Sequence, residues 1–396
     1  MKQITAAVFF LAFLILVPWA QAGPPELSRV GVGLLGDGTL HQYPVSQVPF
    51  GWYHTWAVGV TPERPGGAEF VQTIRLYQYV PPQDMVTQAA RANPGSIWFI
   101  GNEPDNAWQD ALTPEQYAVQ YHDWRLVILN ADPTAKIAIA GVTQPTPLRM
   151  QWLDRALSAY QRSYGTPMPV DVWNVHGYIL REAASGQGCG IPVGISATSG
   201  QIYYSGDSLS IDKFKAQIVA FRKWMAARGY RDKPLIVSEY GVLFPESFFA
   251  DGMTKIKQFM TGTMDWMNTA TDTTIGYPAD NNRLVQRWAW FAFNCPDRIV
   301  QNAFLCDPDT YQVTEYGRTW GDYLAPGGVP VTPKAIVTAA DVVLYTEQGT
   351  ADDSRKLTIT KSGSYVVFTL YDKNGDPLTS FRVLFEDVQR AWDAVR

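Results

Sequence analysis

The 396-residue chain is short of charge. Lys, Arg, Asp and Glu together make 17% of it, the net charge is −5, and nowhere do lysines and arginines cluster. Nucleic acid and acidic membrane surfaces are bound through such clusters, so neither is expected as a partner. Cysteine is scarce too. Cys189, Cys295 and Cys306 are too few for a disulfide framework, and no pair has metal-site spacing. The four histidines, at 41, 54, 122 and 176, form no HExxH cluster. No metal and no other cofactor is therefore expected. Beyond the first two dozen residues no apolar run approaches the ~20 residues of a bilayer span, so the mature chain is expected to have no integral membrane segment. No GxGxxG follows a strand-like stretch; Gly31-Val32-Gly33 lies inside one.

Aromatic residues, by contrast, are in excess: 14 Trp, 20 Tyr and 18 Phe, 13% of the chain. That many tryptophans exceed what a core of this size uses, because each indole N–H must find a partner. Surplus rings commonly line a groove that stacks flat ligands, and sugar rings are one such ligand. At the N-terminus, Lys2 precedes an apolar run from Ile4 to Val17, and Ala20-Gln21-Ala22 has the small-x-small form of a cleavage site. The run is too short for a span, so residues 1–22 read as a cleaved signal peptide and the product as secreted. In an oxidising compartment Cys295 and Cys306 can close a short loop; equally, all three thiols can stay reduced and buried.

Eight short β-branched or aromatic runs follow: Val30–Leu35, Gly51–Ala57, Val71–Tyr79, Ile97–Gly101, Lys136–Gly141, Val170–His176, Pro234–Tyr240 and Val285–Phe293. Most are near-continuously apolar, as strands buried on both faces must be. Helical periodicity separates the later ones, over Pro82–Ala92, Thr113–Leu129, Pro147–Tyr164, Ile211–Arg228 and Gly252–Asn268. The pattern predicts an α/β fold, a (β/α)8 TIM barrel over residues 23–325. Its N-terminal half is helix-poor, since only about 15 Gly/Pro-rich residues join the early strands, too few for full crossover helices. A doubly wound open sheet is the alternative. The long connection Tyr178–Ser210 has no helical period and reads as a lid or wall of the site. PGGVPVTP marks a linker at 326–334, and residues 335–396 alternate like a small β module, with a turn signal at Lys373-Asn374-Gly375-Asp376.

The ends of barrel strands converge on one mouth. The fourth run ends Gly101-Asn102-Glu103-Pro104-Asp105 and the seventh Ser238-Glu239-Tyr240-Gly241, so each delivers a glutamate to the same rim. Carboxylates are rarely left at the edge of a buried strand without a task or a partner. One glutamate alone is as well explained by a helix cap or a pairing with Arg75. Two on nearly opposite strands suit glycoside hydrolysis, one protonating the leaving oxygen and the other attacking the anomeric carbon.

Asn-Glu-Pro closing strand four and Glu-Tyr-Gly closing strand seven resemble the retaining clan A glycoside hydrolases. Val175-His176-Gly177-Tyr178 and Arg287-Trp288-Ala289-Trp290-Phe291 extend the likeness, which is nearest the endo-β-1,3-glucanase-like "glycosyl hydrolase catalytic core" group and covers about Arg29 to Tyr323. The resemblance implies Glu103 as acid/base and Glu239 as nucleophile. It also implies an arginine on strand two contacting the nucleophile; here the nearest candidate, Arg75, falls on strand three. Asn102 is placed to bond the sugar 2-OH. Apolar surroundings are expected to raise Glu103, while Tyr178, His176 or Arg75 hold Glu239 down. His176 is otherwise a structural hydrogen-bonder. Trp288 and Trp290 share one strand face: facing inward, the ring nearer the mouth floors the subsite of the cleaved sugar; facing outward, they pack against helices. Trp52 and Trp56 offer further stacking surfaces, as do Tyr77, Tyr79 and Trp108, with ordinary barrel filling the expected role of most of them. The resulting expectation is a secreted retaining hydrolase of a polysaccharide or oligosaccharide. A transglycosylase using the same residues and a non-catalytic carbohydrate-binding barrel are the rivals.

Overall fold

The computed structural model describes residues 25–36, 39–184, 188–296 and 303–325, together with the backbone of four strands between 342 and 384. The expected signal peptide and linker, and the 373–376 turn, lie outside the described residues. Chain contacts divide the protein into two units, Met1–Val331 and Thr332–Arg396.

The first unit is an eight-stave parallel barrel. Its strands are β1 (Val30–Leu34), β2 (Trp52–His54), β3 (Glu69–Phe70), β4 (Gln72–Ile74), β5 (Ile97–Ile100), β6 (Lys136–Ile139), β7 (Trp173–His176), β8 (Leu235–Tyr240) and β9 (Arg287–Asn294). β3 and β4 are two halves of one stave, continuous through Val71, whose amide donates to Tyr53 O at 2.9 Å. One sheet runs β3-β2-β1-β9-β8-β7 and another β4-β5-β6. The remaining seam, β6 to β7, closes through Asp171 N to Ile137 O at 3.0 Å and the parallel bridge Val142–Val175.

Alternation along the strands sorts side chains into two layers. Trp52, Val71, Phe99, Ala138, Val172, Ile236 and Ala289 form a separate buried cluster, about one residue per stave. Gly31 completes the ring by having no side chain, since a Cβ there would lie 2.2 Å from the Trp52 indole. The outward residues, among them Val30, Val32, Trp98, Trp173, Trp288 and Trp290, join the main core beneath the helices.

Helices α1 (Gln83–Ala92), α2 (Pro114–Ala131), α3 (Pro147–Tyr164), α4 (Ile211–Ala227) and α5 (Gly252–Thr269) lie where periodicity placed them. A capping box starts α2: Thr113 Oγ1 accepts from Gln116 N, and Gln116 Oε1 accepts from Thr113 N. The helix α6 (Glu315–Leu324) was not among the expected ones. It starts on a Thr314 cap and buries Tyr316, Trp320 and Tyr323 at helical spacing. Before α1 there is no α-helix among the described residues, matching the short early connections. No helix there is long and apolar enough to cross a membrane.

In the second unit, β10 (Val342–Gln348), β11 (Lys356–Ser362), β12 (Tyr365–Tyr371) and β13 (Pro377–Leu384) form an antiparallel meander in that order.

Candidate active site

Glu103 leaves the end of β5 through a strained turn. Gly101 has φ +97 and Glu103 itself φ +42, a left-handed conformation that costs a non-glycine residue about 1–3 kcal/mol. Tertiary bonds hold it there. Asp110 accepts the amides of Asn102 at 2.7 Å and Leu76 at 3.1 Å, and pairs with Arg75 Nε at 2.8 Å. Glu103 N donates to Gly141 O at 3.0 Å. The neighbouring Asp105 pairs with buried Arg149 at 2.7 Å, and Arg149 also grips Glu182. Burial pushes Asp105 up to about 6, although Arg149 opposes it.

Glu182 belongs to the 178–210 connection, whose described residues are tied to the barrel: its carboxylate also accepts from Thr146 Oγ1 and Gln201 N. Gln144 adds two bonds to the Leu180 backbone, at 2.9 and 2.7 Å.

Glu239 stands one residue before the end of β8, on the opposite side. Its Oε1 accepts from Trp56 Nε1 at 2.5 Å and its Oε2 from the Tyr178 hydroxyl at 3.0 Å. Trp56, Phe291 and Tyr178 form a chain of edge-on rings beside it, with centroids 5.5 and 6.2 Å apart. Between the two acids stands His176, with Nδ1 2.8 Å from Glu103 Oε1 and 3.4 Å from Glu239 Oε2. Gly141 makes room for it, since a Cβ there would fall 2.4 Å from the imidazole. Donor atoms of Glu103, His176 and Glu239 all lie within 4.8 Å of one another and all three residues are buried. Among the described residues this trio is also the group close-set enough to hold a metal ion.

The ionisation pattern differs from the expected one. Burial raises Glu103, but the hydrogen bond and charge of His176, with Asn106 and Thr143, outweigh it and the net direction is down. Burial raises Glu239 and the charge of Glu103 adds to it, so its net direction is up despite His176, Trp56 and Tyr178. Burial opposes a proton on His176, yet Glu239, Glu103 and Asp105 pull it upward. The expectation treated the glutamates as separate; His176 sits closer to Glu103 and makes the three one proton-sharing group.

Both glutamates open onto a cleft of about 750 Å³ lined also by Trp56, Arg75, Asn102, Tyr178 and Phe291. Asn102 Nδ2 faces Gln109 Oε1 at 3.4 Å. Arg75 reaches the cleft but serves Asp110, so the donor to Glu239 from the second stave is Trp56.

Three expected subsite residues lie elsewhere. Trp52 fills the barrel interior, with its Nε1 on Arg29 O. Trp288 and Trp290 face outward; Trp288 packs under the Arg29 guanidinium and Trp290 Nε1 donates to Ala303 O at 2.9 Å. Strand alternation turns Phe291 to the cleft in their place. The small Ala289 between two tryptophans was the available signal, since a crowded barrel interior admits the small residue. Trp108 lines the cleft and is 59% exposed. Tyr77 and Tyr79 stand beyond the end of β4, at 54% and 88% exposed. Asn106 and Thr143, both lining the cleft beside Glu103, had no sequence signal. Cys189, Cys295 and Cys306 are buried thiols.

A closed parallel barrel that brings two buried carboxylates together at its mouth, in a cleft walled by rings and amides, is the architecture of a glycoside hydrolase. The comparisons narrow the class. Residues 37–320 match the model of the glycosyl hydrolase catalytic core, and the chain belongs to that family. Among solved structures it is similar to a GH128 subgroup I endo-β-1,3-glucanase from Amycolatopsis mediterranei, in complex with laminaritriose. They share 17% identity and a TM-score of 0.50, over 75% of this chain and 99% of that one. A glucosidase from Croceicoccus marinus is similar at 11% identity and TM-score 0.51, over 88% of this chain and 76% of that one. At such identities the likeness is one of fold. No curated protein matches the sequence significantly.

Proposed function

We propose that this glycoside hydrolase cleaves a polysaccharide with retention of anomeric configuration, Glu239 acting as nucleophile and Glu103 as acid/base, and that it is secreted. The observation that carries the mechanism is the convergence of the two carboxylates, with one oxygen of each within 4.8 Å of the other. Retaining enzymes hold theirs about 5–5.5 Å apart, whereas inverting ones need ~6.5–9.5 Å to admit a water. Secretion is supported by Lys2, the apolar run and Ala20-Gln21-Ala22.

The reacting state needs a proton on Glu103 and none on Glu239. Transfer from His176 Nδ1 to Glu103 Oε1, across 2.8 Å, supplies it and leaves a neutral imidazole between an acid and an anion. Glu239 then attacks the anomeric carbon as Glu103 protonates the leaving oxygen. Next, Glu103 as carboxylate takes a proton from the water that displaces the sugar from Glu239, restoring both groups. Asn102, in the cleft beside Glu103, is the group to meet the 2-OH.

A β-1,3-glucan is the first substrate to try, because the Amycolatopsis structure of like fold is described as an endo-β-1,3-glucanase. Laminarin should yield shorter sugars whose first-formed anomer, followed by proton NMR, is β. An α product would overturn retention, and an intact panel of polysaccharides would overturn hydrolysis. Transfer products with added acceptor sugar would point to a transglycosylase. Chelator treatment should leave the rate unchanged; loss restored by a divalent ion would assign Glu103, His176 and Glu239 to a metal instead.

A further inference from the structure

Trp56 bonds Glu239 directly, and its placement is over-determined. Its backbone is left-handed, φ +53, which a bulky residue adopts only when its surroundings hold it. Gly33 on β1 leaves the space the indole occupies, since a Cβ there would lie 2.7 Å from Trp56 Cη2. His54 packs against it at 4.6 Å between centroids, and His54 Nε2 in turn donates to the carbonyl of Ser238, the residue before Glu239. Phe291 closes the far edge. A tryptophan placed only to stack on a sugar needs its face free and its N–H anywhere. Here the N–H is the part that is fixed, on Glu239 Oε1.

We propose that Trp56 is a positioning residue for the nucleophile: its indole N–H holds one oxygen of Glu239 as an anion, in one rotamer, aimed across the cleft at Glu103. This rests on the reading of Glu239 as nucleophile. Trp56 takes the Oε1 side while the Tyr178 hydroxyl takes Oε2, so the carboxylate is fixed at both oxygens. Among the described residues no arginine or lysine hydrogen-bonds Glu239. The titratable groups facing it are Glu103 from the end of β5, His176 on β7 and Tyr178 just beyond, with neutral His54 behind Trp56. Burial and the Glu103 charge push Glu239 toward its protonated form; the His176 charge opposes that, and the two neutral donors add to the opposition. Removing one of them frees a rotamer and lets the proton return.

The test is a difference-infrared titration of the Glu239 carboxyl band, assigned by its loss in Glu239→Gln and requiring no substrate. It is paired with pH profiles of kcat/KM on laminarin. Trp56→Phe keeps a ring against His54 and Phe291 but has no N–H. Its Glu239 midpoint should rise by about one pH unit, the size expected for one lost hydrogen bond to a charged group. The acid limb of kcat/KM should rise with it. An unchanged midpoint in folded Trp56→Phe overturns the proposal. Where that variant does not fold, Gly33→Ala, which displaces the indole without altering any donor, decides by the same criterion. The two readings fail separately: turnover by Glu239→Gln removes the nucleophile assignment, whatever the infrared midpoints show of Trp56.

Discussion

The two sides of the cleft are built from different materials. Behind Glu103 lies a charged scaffold: Arg75 with Asp110, then Asp105, Arg149 and Glu182, most of it buried. Around Glu239 the donors are neutral rings, Trp56 and Tyr178, with His54 in the next layer. The difference follows from what each side must hold. Glu103 sits on a left-handed turn between strand and loop, and a strained backbone needs strong, directional partners to fix it. Glu239 lies near the end of β8, where the pairing with both neighbouring strands shifts register, but its backbone is not left-handed and its carbonyl accepts from Gly177 N at 2.7 Å, so it is mainly the side chain that needs aiming. Neutral donors do that with no arginine or lysine among the described residues on the carboxylate; the one cationic neighbour there, His176, is shared with Glu103. His176 is where the two sides meet.

The hardest blow to this contrast would be an unequal need for the two acids. Glu239→Gln and Glu103→Gln should each cost at least roughly 10³-fold in kcat on laminarin, since removing either interrupts the same reaction. They should part on an activated aryl glucoside. Glu103→Gln should still form a glycosyl-enzyme, because the leaving group needs no proton, and Glu239→Gln should not. Intact-protein mass spectrometry reads this directly; a covalent adduct on Glu239→Gln would sink the assignment.

Arg149→Met strikes the charged side alone. It strands Asp105 and Glu182 as buried carboxylates without their cation, and breaking such a pair typically costs about 3–5 kcal/mol. Urea unfolding should show that loss, together with a slackened 178–210 wall. A change below about 1 kcal/mol would mean the network is ornament to the fold.

Much of this was legible in the chain. Apolar runs that end in a carboxylate, at Ile97–Glu103 and Leu235–Glu239, announce strands whose tips reach a common rim, because a buried strand cannot carry a charge anywhere else. What the sequence concealed depends on register and on tertiary contact. Trp288 reads equally well facing in or out and Trp290 reads better facing in, and only the crowding of the interior by Trp52 turns both outward. The role of Arg75 hinged on Asp110, thirty-five residues on, which no local pattern connects to it. The split of the third stave at Val71 and the turned-in Trp56 are backbone events that neighbouring residue types do not encode. The shared proton of Glu103, His176 and Glu239 exists only once three staves are assembled.

The neutral side should fail by becoming charged. Burial and the charge of His176 drive His54 down to about 3, against the Ser238 bond that opposes them, so it folds uncharged. Its unfolded counterpart takes up a proton near 6.5. The unfolded state therefore binds more protons between these values; His54's contribution is intact above about pH 6.5 and declines as pH falls toward 3. At pH 5 that loss is about 2 kcal/mol. His54→Gln should remove it, so the gap in urea stability between pH 7 and pH 5 should shrink by about that amount. An unchanged gap would show that His54 is already protonated in the fold.

The smallest effect separates aiming from scaffolding most cleanly. Tyr178 is a neutral phenol, its ionisation pushed well above the ordinary value by burial and by the charges of Glu239 and Glu103. Tyr178→Phe keeps the ring against Phe291 and removes only the hydroxyl on Glu239 Oε2. Stability should fall by about 1.5 kcal/mol, the lower end for one bond to a charged group. kcat should fall roughly tenfold and the acid limb of kcat/KM should move up, because one of two donors favouring the anion is gone. KM should stay near its original value, since the hydroxyl is spent on the carboxylate. A variant that instead lost far more stability and kept its pH profile would make Tyr178 part of the wall, and the contrast between the two sides would reduce to a difference in residue type without chemical consequence.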